Sequence, residues 1–493
     1  MLPRRHLGAA GSQEQIHRNI IASQPVANDL LSQRHGQFYD EWESILEKRR
    51  QVIIRGNLDA YVRFARESTE YYRDRLIQYD SSAEFPLENV PILTASELRG
   101  LVPPNSNKIV VGSGHDYTVF QSGGSTGIPK TTIFSHHELE RLNLPNARGF
   151  FACGLSSQDR VADVWAVGSL YMTFVHINRM LQQYGCMNFP FSNHTAPDFI
   201  YTVMKLFRIN CVTGLPSVIL NLARQIESLG LSAINVDKIF YGGEHLYEAD
   251  LKELETKLGV KQILAPGYGT VETWYLGYQC TRTETGVYHA HDDQVYIEIV
   301  NEDTGKHCSP GEVGMIYVTA IPRRLMPVVR YRVGDRACWL DERCVCGRTT
   351  PLFKLFGRGD DILRIGYDSV EYQAVQDAVL KVPGLLGSIQ MEKQREQGRD
   401  RLVIRVETEL PDINHAAAAA TLEEQLCHAR PAFRDLFSKG LAWPLKIEFI
   451  EPNALPRNER TGKLIRIVDA AMNSDNAIGD MLHRSTSRSA NEG

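Results

Sequence analysis

The sequence lacks the features that mark membrane, secreted and nucleic-acid-binding proteins. No window approaches the roughly 18 uninterrupted apolar residues of a membrane span, and the basic first residues are not followed by the apolar run of a signal peptide. The net charge of −5, with both signs interspersed, creates no basic field for nucleic acid or an anionic membrane. We therefore expect a cytoplasmic protein that binds neither nucleic acid nor membrane.

Regularly spaced cysteines are also missing. The nine cysteines are an odd number without a repeating interval, which argues against a disulfide framework. What is present is typical of globular proteins, with 43% hydrophobic and 23% charged residues. A chain of 493 residues is long enough for about three domains with a substantial core.

The pattern of apolar residues divides the chain into four stretches. Helical intervals in residues 1–105 predict a helical N-terminal region. Residues 106–357 alternate short apolar runs with amphipathic segments, which is typical of α/β folds. Residues 358–472 predict a smaller α+β unit, with a hairpin around the charged turn 393–400, an Ala-rich helix at 416–437 and a strand near 445–450. The Ser-rich residues 473–493 are predicted to be disordered.

A turn with very little side-chain bulk follows the apolar segment 117–120. It contains Ser122, Gly123, Gly124, Ser125, Thr126, Gly127 and Lys130. Glycines allow successive backbone N–H groups to converge on one concavity, which suits phosphate oxygens, and the lysine adds a positive charge. Two residues separate the last glycine from the lysine, so the turn is not the P-loop of nucleoside triphosphatases. An ordinary surface turn is the alternative.

Three later stretches carry further candidate residues. Tyr268, Gly269, Thr270 and Glu272 follow a predicted strand, so the carboxylate can lie where α/β sheets bind ligands and can help to hold Mg²⁺. Asp335 and Arg358 could hydrogen-bond the hydroxyls of a ribose, or they could form turn salt bridges. Lys463 lies on a predicted loop before an apolar helix, and a solvated lysine is its alternative interpretation.

Taken in this order, the stretches resemble the adenylate-forming superfamily of acyl-CoA synthetases, adenylation domains and luciferases. Within it the chain is most similar to the phenylacetate–CoA ligase-like group, from about Tyr61 to Asp469. The resemblance implies an α/β fold class, with a large N-terminal α/β domain of the adenylate-forming fold, a helical N-terminal extension and a small mobile α+β C-terminal domain. The small domain would carry the catalytic lysine.

The resemblance also implies roles for individual residues. The turn from Ser122 to Lys130 would bind the β- and γ-phosphates of ATP, Glu272 would bind Mg²⁺, and Lys463 would bridge the acid's carboxylate and the α-phosphate. Adenine would be bordered by Gly243, Glu244 and Tyr268, with Gly269 and Thr270 nearby. Asp335 and Arg358 would hold the ribose, and Asp360 would be the hinge of the small domain. The acid pocket would be formed by Trp165, Gly168, Tyr171, Gly214 and Pro216.

The reaction implied is ATP-dependent activation of a small carboxylic acid, aromatic or heteroaromatic, to an acyl-adenylate, followed by transfer to CoA. One alternative is transfer to an amine, a carrier protein or a reductase partner. Another is a nucleotide-binding protein without catalysis. A homodimer is a further expectation.

Three departures from the family pattern bear on these expectations. Val271 occupies a position where the family usually has a hydroxyl residue, which would remove one α-phosphate contact unless Thr270 or Thr273 supplies it. The loop before Lys463 is one residue longer than usual. The hinge is followed by residues 364–368 instead of the expected glycine turn, which affects the surface for the acceptor.

Four residues predict a separate metal site. Cys344 and Cys346 flank a tight knuckle, and Cys280 and His289 precede them in an order also seen in some phenylacetate–CoA ligase-like proteins. Three thiolates and one imidazole would make a closed tetrahedral zinc site of structural type. In those proteins the histidine lies four residues before an aspartate, so the resemblance favours His289 over His291. Reduced buried thiols are the alternative.

Overall fold

The computed structural model describes residues 37–112, 116–121, 130–168, 170–232, 234–243, 246, 248–358, 362–408, 414–451, 454–456 and 467–469. After a 3₁₀ helix at Glu41–Ser44, its helices are α1 (Glu47–Ser68), α2 (Glu70–Arg75), α3 (Ala95–Leu101), α4 (His136–Arg141), α5 (Asn143–Ala152), α6 (Thr173–Tyr184), α7 (Pro197–Phe207), α8 (Pro216–Ser228), α9 (Glu248–Leu258), α10 (Tyr372–Val379), α11 (His415–Ala429) and α12 (Pro431–Ser438).

The strands up to the end of the large sheets are β1 (Tyr117–Gln121), β2 (Thr131–Ser135), β3 (Arg160–Asp163), β4 (Met187–Pro190), β5 (Cys211–Gly214), β6 (Lys238–Tyr241), β7 (Gln262–Leu264), β8 (Tyr268–Thr270), β9 (Trp274–Tyr278), β10 (Val287–Ala290), β11 (Val295–Asn301), β12 (Lys306–His307), β13 (Gly314–Ala320), β14 (Tyr331–Leu340) and β15 (Leu352–Arg358). They are followed by β16 (Ile362–Ile365), β17 (Asp368–Glu371), β18 (Leu385–Glu396), β19 (Arg399–Thr408), β20 (Lys446–Ile450) and β21 (Ile467–Asp469).

The N-terminal helices pack against the rest of the chain. Helix α1 buries Leu58, Tyr61, Val62 and Ala65, which recur at the three- and four-residue intervals of one helix face. The Tyr61 hydroxyl donates to a backbone carbonyl at 323 and accepts from a backbone N–H at 328, both at 2.9 Å. Helix α3 begins with a capping box between Thr94 and Glu97.

A five-stranded parallel sheet forms one half of the large unit, in the order β4-β3-β5-β6-β7. All four residues of β5 are buried, as expected for a parallel strand covered on both faces. The carboxyl ends of β3, β5 and β6, at Asp163, Gly214 and Tyr241, lie at the same edge because the strands are in parallel register. Ligands of α/β proteins bind at such edges.

The other half is an antiparallel eight-stranded sheet in the order β12-β11-β13-β14-β15-β10-β9-β8. Its strand β8 starts four residues after β7 ends, so the β8–β9 loop follows directly from the parallel sheet. The expected α/β fold class is therefore confirmed.

The C-terminal part has its own core and differs from the expectation in three places. Strands β18 and β19 pair as far as Glu396 and Arg399, so the predicted turn 393–400 contains only two residues beyond the strands. The predicted helix 416–437 is two helices, because Pro431 cannot continue α11 and instead begins α12. The apolar residues after the lysine loop form strand β21, parallel to β18, and not a helix.

The turn after the predicted hinge also differs from the expectation. Strands β16 and β17 pair as a hairpin, and Gly366 in its turn has a φ of +56°. A glycine turn is therefore present despite the unusual sequence around it. Within the described residues, no helix has both the length and the apolar composition needed to cross a bilayer. The predicted disordered tail, 473–493, lies outside the described residues.

Candidate active site

Three of the predicted acid-pocket residues lie at the carboxyl edge of the parallel sheet. The Trp165 indole N–H donates to the Thr213 hydroxyl at 3.0 Å, which fixes the ring beside the end of β5. A side chain added at Gly214 would clash with Val164, at 2.6 Å, so only glycine permits this approach. Pro216 is the first residue of α8, a position that suits proline.

The loop after β3 connects this edge to the predicted phosphate-binding turn. Gly168 has a φ of +85°, and Leu170 is also in the left-handed region, with a φ of +58°. The Leu170 carbonyl accepts a hydrogen bond from the backbone N–H of Gln121, at 3.0 Å. The loop that carries Tyr171 is therefore held against the last residue of β1.

Lys130 and Glu272 form a buried ion pair, with 2.5 Å between Nζ and Oε1. The Tyr331 hydroxyl lies 3.1 Å from the same Nζ. Burial alone would lower the pKa of Lys130 and raise that of Glu272, but their mutual attraction outweighs it, so the lysine pKa is raised and the glutamate pKa is lowered. Both side chains are consequently charged at neutral pH.

A second pair involves the residues predicted to border the nucleotide. The Tyr268 hydroxyl donates to Asp335 Oδ2 at 2.7 Å. Asp335 on β14 is the register partner of Arg358 on β15, so the backbone places the two predicted ribose-binding residues side by side. Gly243 has a φ of +74° and lies close to Leu215 and Trp165.

The β8–β9 loop around Glu272 is tightly constrained. A side chain at Gly269 would collide with the Trp274 carbonyl oxygen, at 2.2 Å. The hydroxyls of Thr270 and Thr273 lie 3.0 Å apart and hydrogen-bond each other. Val271 packs instead against a cluster of apolar side chains, so the hydroxyl that the family usually has at its position is replaced by an apolar contact.

Several predicted residues lie outside the described part of the chain. They are Ser122, Gly123, Gly124, Ser125, Thr126, Gly127, Glu244, Asp360 and Lys463. The strands on either side of the glycine turn are described, and they pair with Gln121 opposite Thr131. The turn thus begins and ends next to the Lys130–Glu272 pair.

Comparison with known proteins agrees with this geometry. The model of the AMP-binding enzyme family matches residues 68–321, which is more than half of the chain. The chain belongs to the AMP-binding enzyme family. The prediction of an adenylate-forming, phenylacetate–CoA ligase-like protein is confirmed.

The relatives of this AMP-binding enzyme include two phenylacetate–coenzyme A ligases that match along most of their length. The one from Thermus thermophilus is 24% identical over 449 residues, covering 88% of this chain and 99% of the relative. The one from Escherichia coli is 23% identical over 430 residues, covering 85% of this chain and 94% of the relative. Among solved structures, a 2-hydroxyisobutyryl-CoA ligase with 2-HIB-AMP and CoA has a TM-score of 0.73 at 21% identity, covering 90% of this chain and 95% of that one.

The four residues of the predicted zinc site come together in this AMP-binding enzyme. The ligand atoms of Cys280, His289, Cys344 and Cys346 all lie within 4.8 Å of one another. Cys280 Sγ is 3.7 Å from Cys344 Sγ, and Cys346 Sγ is 3.5 Å from His289 Nε2. Zn–S and Zn–N bonds of about 2.3 and 2.1 Å at tetrahedral angles give separations of about 3.8 and 3.6 Å. The donor set and its spacing therefore fit zinc.

The surroundings of the cluster also suit a metal. His289 Nδ1 lies 2.9 Å from the Thr350 hydroxyl, which orients the ring so that Nε2 faces the thiols. Hydrogen bonds from the Cys280 thiol and from His289 hold the pKa of Cys346 well below its usual range. His291 is not part of the cluster, because its Nδ1 contacts the Arg148 guanidinium at 3.1 Å.

The sequence missed the role of the N-terminal segment beside this cluster. Glu43, fully buried, pairs with Arg348 and accepts a hydrogen bond from the Tyr278 hydroxyl at 2.9 Å. Arg50 pairs with Asp292 at 3.0 Å. The only sequence signal was the charge of these residues within an apolar pattern, and charges of this kind are ordinarily exposed.

His176 was also missed. It lies on α6 within a buried stripe that includes Ile177, Met180 and Leu181, and it is 3% exposed. A single histidine in an apolar helical stripe is common in protein cores, so no pattern in the sequence distinguished His176 from a core residue.

Proposed function

We propose that this AMP-binding enzyme uses ATP to convert a carboxylic acid into an acyl-adenylate, with release of pyrophosphate, and then transfers the acyl group to CoA. The prediction of an AMP-forming acid–thiol ligase is confirmed by the family and by relatives that match nearly end to end. The observation in the structure that carries the proposal is the buried Lys130–Glu272 pair between the glycine turn and the β8–β9 loop.

The chemistry requires two anions to meet, because the carboxylate attacks the α-phosphate of ATP. Positioning and neutralisation of charge are therefore the main tasks of the protein. Lys130 keeps Glu272 ionised and holds it at the end of the turn whose residues, Ser122 to Gly127, we propose as the binding site for the β- and γ-phosphates. Bound Mg²⁺ would supply further neutralisation, with Glu272 as its protein ligand and phosphates and water as the rest.

The nucleoside and the mobile lysine complete the proposed site. Asp335, oriented by the Tyr268 hydroxyl, would accept hydrogen bonds from the ribose, with Arg358 beside it. Gly243 lies against Leu215 and Gly269 lies against the Trp274 carbonyl, and we propose that both glycines border the adenine. Lys463 would bridge the reacting carboxylate and phosphate. The division into domains at 106–357 and 358–472, with Asp360 as the hinge, is part of this proposal.

The aromatic residues of the pocket and one further relative bear on which acid and which acyl acceptor the enzyme uses. Trp165 and the aromatic residues of β9 support an aromatic or heteroaromatic acid. Transfer to an amine is the second candidate, because an indoleacetate–lysine synthetase from Pseudomonas savastanoi matches 28% of this chain at 26% identity. Carrier-protein and reductase partners, the homodimer and the cytoplasmic location stay predictions.

We propose a structural zinc ion at the Cys280, His289, Cys344 and Cys346 cluster. The purified protein should contain about one zinc per chain by mass spectrometry of the metal, and Cys346→Ser should lose it together with thermal stability. Cys427→Ser, at a half-buried cysteine on α11, is the matched control and should keep the metal. Zinc-free protein of unchanged stability would favour reduced thiols.

Acid-dependent exchange of pyrophosphate into ATP tests the main proposal. A panel of aryl and aliphatic acids should reveal at least one that drives exchange, and adding CoA should then produce a thioester. Lys463→Ala should abolish exchange while leaving ATP affinity within a few-fold. ATP binding without exchange for any acid would favour a non-catalytic protein, and an adenylate that reacts with amines but not CoA would favour the second candidate.

A further inference from the structure

The first residue of β9 has an unusual backbone. Trp274 lies two residues after Glu272 and has a φ of +70°, in the left-handed region that large side chains rarely adopt. It is 8% exposed. Such strained residues persist where the surrounding structure enforces them, and they cluster at ligand-binding sites.

Two buried ring nitrogens, one of them on this strained residue, have no hydrogen-bond partner among the residues that the structure describes. They are Nε1 of Trp274 and Nε2 of His176. The two rings meet edge to face, with centroids 4.2 Å apart and an interplanar angle of 79°. This contact packs the rings but supplies no lone pair to the indole N–H. Buried polar groups are nearly always hydrogen-bonded, so two neighbouring exceptions require an explanation.

The two rings lie beside residues of the proposed acid pocket. The Tyr275 ring is centred 4.6 Å from that of Trp274 and 6.5 Å from that of His176. Tyr171 of the predicted pocket is close enough to influence the ionisation of Tyr275. The same apolar cluster contains Met172 and has Val271 packed against it. Most of the described side chains that pack against these rings are therefore apolar.

The hydrogen-bonding capacity of the pair restricts what can satisfy it. An indole N–H can only donate, so its partner must be an acceptor. Burial lowers the pKa of His176 to about 3, so the imidazole is neutral at physiological pH and offers one donor and one acceptor. A hydroxyl group can accept from Trp274 and donate to His176 at the same time.

We propose that His176 and Trp274 recognise a hydroxyl group on the acid, so that the preferred substrates are hydroxy-substituted carboxylic acids with an otherwise apolar body. The inference rests on the proposed function, since it concerns the acid that is adenylated. An unsubstituted acid of the same shape would leave both nitrogens unpaired. Sites built to hydrogen-bond a hydroxyl discriminate strongly against analogues that lack it.

Matched pairs of acids in the pyrophosphate-exchange assay test the proposal. Phenylacetate would be compared with its 2-, 3- and 4-hydroxy derivatives, and benzoate with the hydroxybenzoates. We expect at least one hydroxy acid to exceed its parent by tenfold or more in kcat/KM. If every parent acid equals or exceeds its hydroxy derivatives, the inference is wrong. This comparison needs no variant and so does not depend on the folding of one.

Variants then assign the preference to the two side chains. Trp274→Phe and His176→Phe keep an aromatic ring but remove the nitrogens, and each should reduce the preference to within about threefold. The KM for the hydroxy acid should rise by a larger factor than the KM for the parent acid. His194→Asn, at an exposed histidine, is the control and should retain the preference. A preference unchanged in both ring variants would contradict the assignment.

The outcomes separate this inference from the proposed function. Exchange with unsubstituted acids alone would leave acid activation standing and reject the role of the two nitrogens. An absence of exchange with every acid would reject acid activation, and the hydroxyl preference with it.

Discussion

Strand β9 connects two regions that differ in backbone strain and in how their buried charges are compensated. At its start, around Trp274, the backbone is strained, two ring nitrogens lack partners among the described residues, and the nearby Lys130 and Glu272 depend on each other for compensation. Beyond its end, around Cys280, the charges of the N-terminal segment are matched by specific partners, such as Glu43 with Arg348. We call these two regions the nucleotide end and the metal end of β9.

The contrast indicates what each region is for. Matched buried charges fix one arrangement of the chain, because removing either partner leaves an uncompensated charge. The metal end therefore holds the N-terminal segment against the eight-stranded sheet. Unmatched polar groups and a strained residue are retained where a ligand completes the arrangement. The nucleotide end therefore has the character of a binding site, and substitutions at the two ends should have different consequences.

The largest effect on stability is expected at the metal end. Glu43→Gln removes the charge that compensates the buried Arg348 guanidinium, which should lower the free energy of unfolding by about 3–5 kcal/mol. Chemical denaturation followed by fluorescence measures this loss. Exchange activity per folded molecule should be unchanged, because Glu43 contacts Tyr278 and Arg348 at the other end of β9.

An exposed ion pair in the same region provides the control. Arg343 and Glu47 are 3.2 Å apart, but their side chains are 73% and 67% exposed. Arg343→Ala should therefore change the free energy of unfolding by no more than about 1 kcal/mol. If Glu43→Gln and Arg343→Ala lower the free energy of unfolding equally, burial does not make the Glu43–Arg348 pair more important for stability than the exposed pair.

The largest effect on activity is expected at the nucleotide end. Glu272→Gln removes the proposed Mg²⁺ ligand and the charge that faces Lys130, so the exchange rate should fall by about 10²–10³-fold, the range typical for loss of one electrostatic contact in an active site. The exposed Glu255→Gln on α9 should retain the full rate. A Glu272→Gln enzyme with near-normal exchange would remove the central residue of the proposed site.

Much of the fold and of the candidate site could be predicted from the sequence. The alternation of short apolar runs with amphipathic segments in residues 106–357 predicted the α/β fold, because local pattern and tertiary burial agree there. The cysteine and histidine residues also came together as predicted, since spacing in the chain and soft-ligand chemistry both indicated them. The order of the motifs along the chain predicted that Tyr268, Glu272 and Asp335 lie in one region of the protein.

Other features depend on contacts that no local pattern encodes. The Glu43–Arg348 pair joins residues that are 305 positions apart. Trp274 has a left-handed backbone, and its ring packs against His176 of α6. Pro431, by contrast, was visible in the sequence, and the division of the predicted helix 416–437 there follows from ordinary proline chemistry.

Two buried aspartates should make the free energy of unfolding depend on pH in opposite directions. At the sheet edge of the nucleotide end, burial raises the pKa of Asp163 to about 7. The folded state then binds a proton more tightly than the unfolded state, so the unfolding free energy should fall as pH rises from about 4 to about 7. At the metal end, burial acts on Asp293 in the same direction, but Arg148 outweighs it and lowers the pKa to about 2. The stabilisation that ionised Asp293 contributes to the folded state should be present above about pH 4 and lost as pH falls to about 2.

Asparagine substitutions isolate the two contributions. Relative to Asp163→Asn, the wild type should lose about 2–4 kcal/mol of unfolding free energy between pH 4 and pH 7. Compared with Asp293→Asn, the wild type should lose its higher free energy of unfolding only below pH 4. Denaturation curves at several pH values measure both differences. Parallel curves for the wild type and Asp163→Asn would show that this carboxyl titrates normally.

The smallest effect is expected at the proposed ribose contact. Asp335 offers a charged acceptor that is already oriented by the Tyr268 hydroxyl, so Asp335→Asn should weaken one or two hydrogen bonds to a bound ribose. A loss of about 1.5 kcal/mol corresponds to roughly a tenfold higher KM for ATP, with a small change in kcat. Tyr268→Phe removes only the orienting hydroxyl and should raise the KM by less, about threefold. If Tyr268→Phe weakens ATP binding more than Asp335→Asn does, the tyrosine and not the aspartate is the principal contact at this part of the nucleotide end.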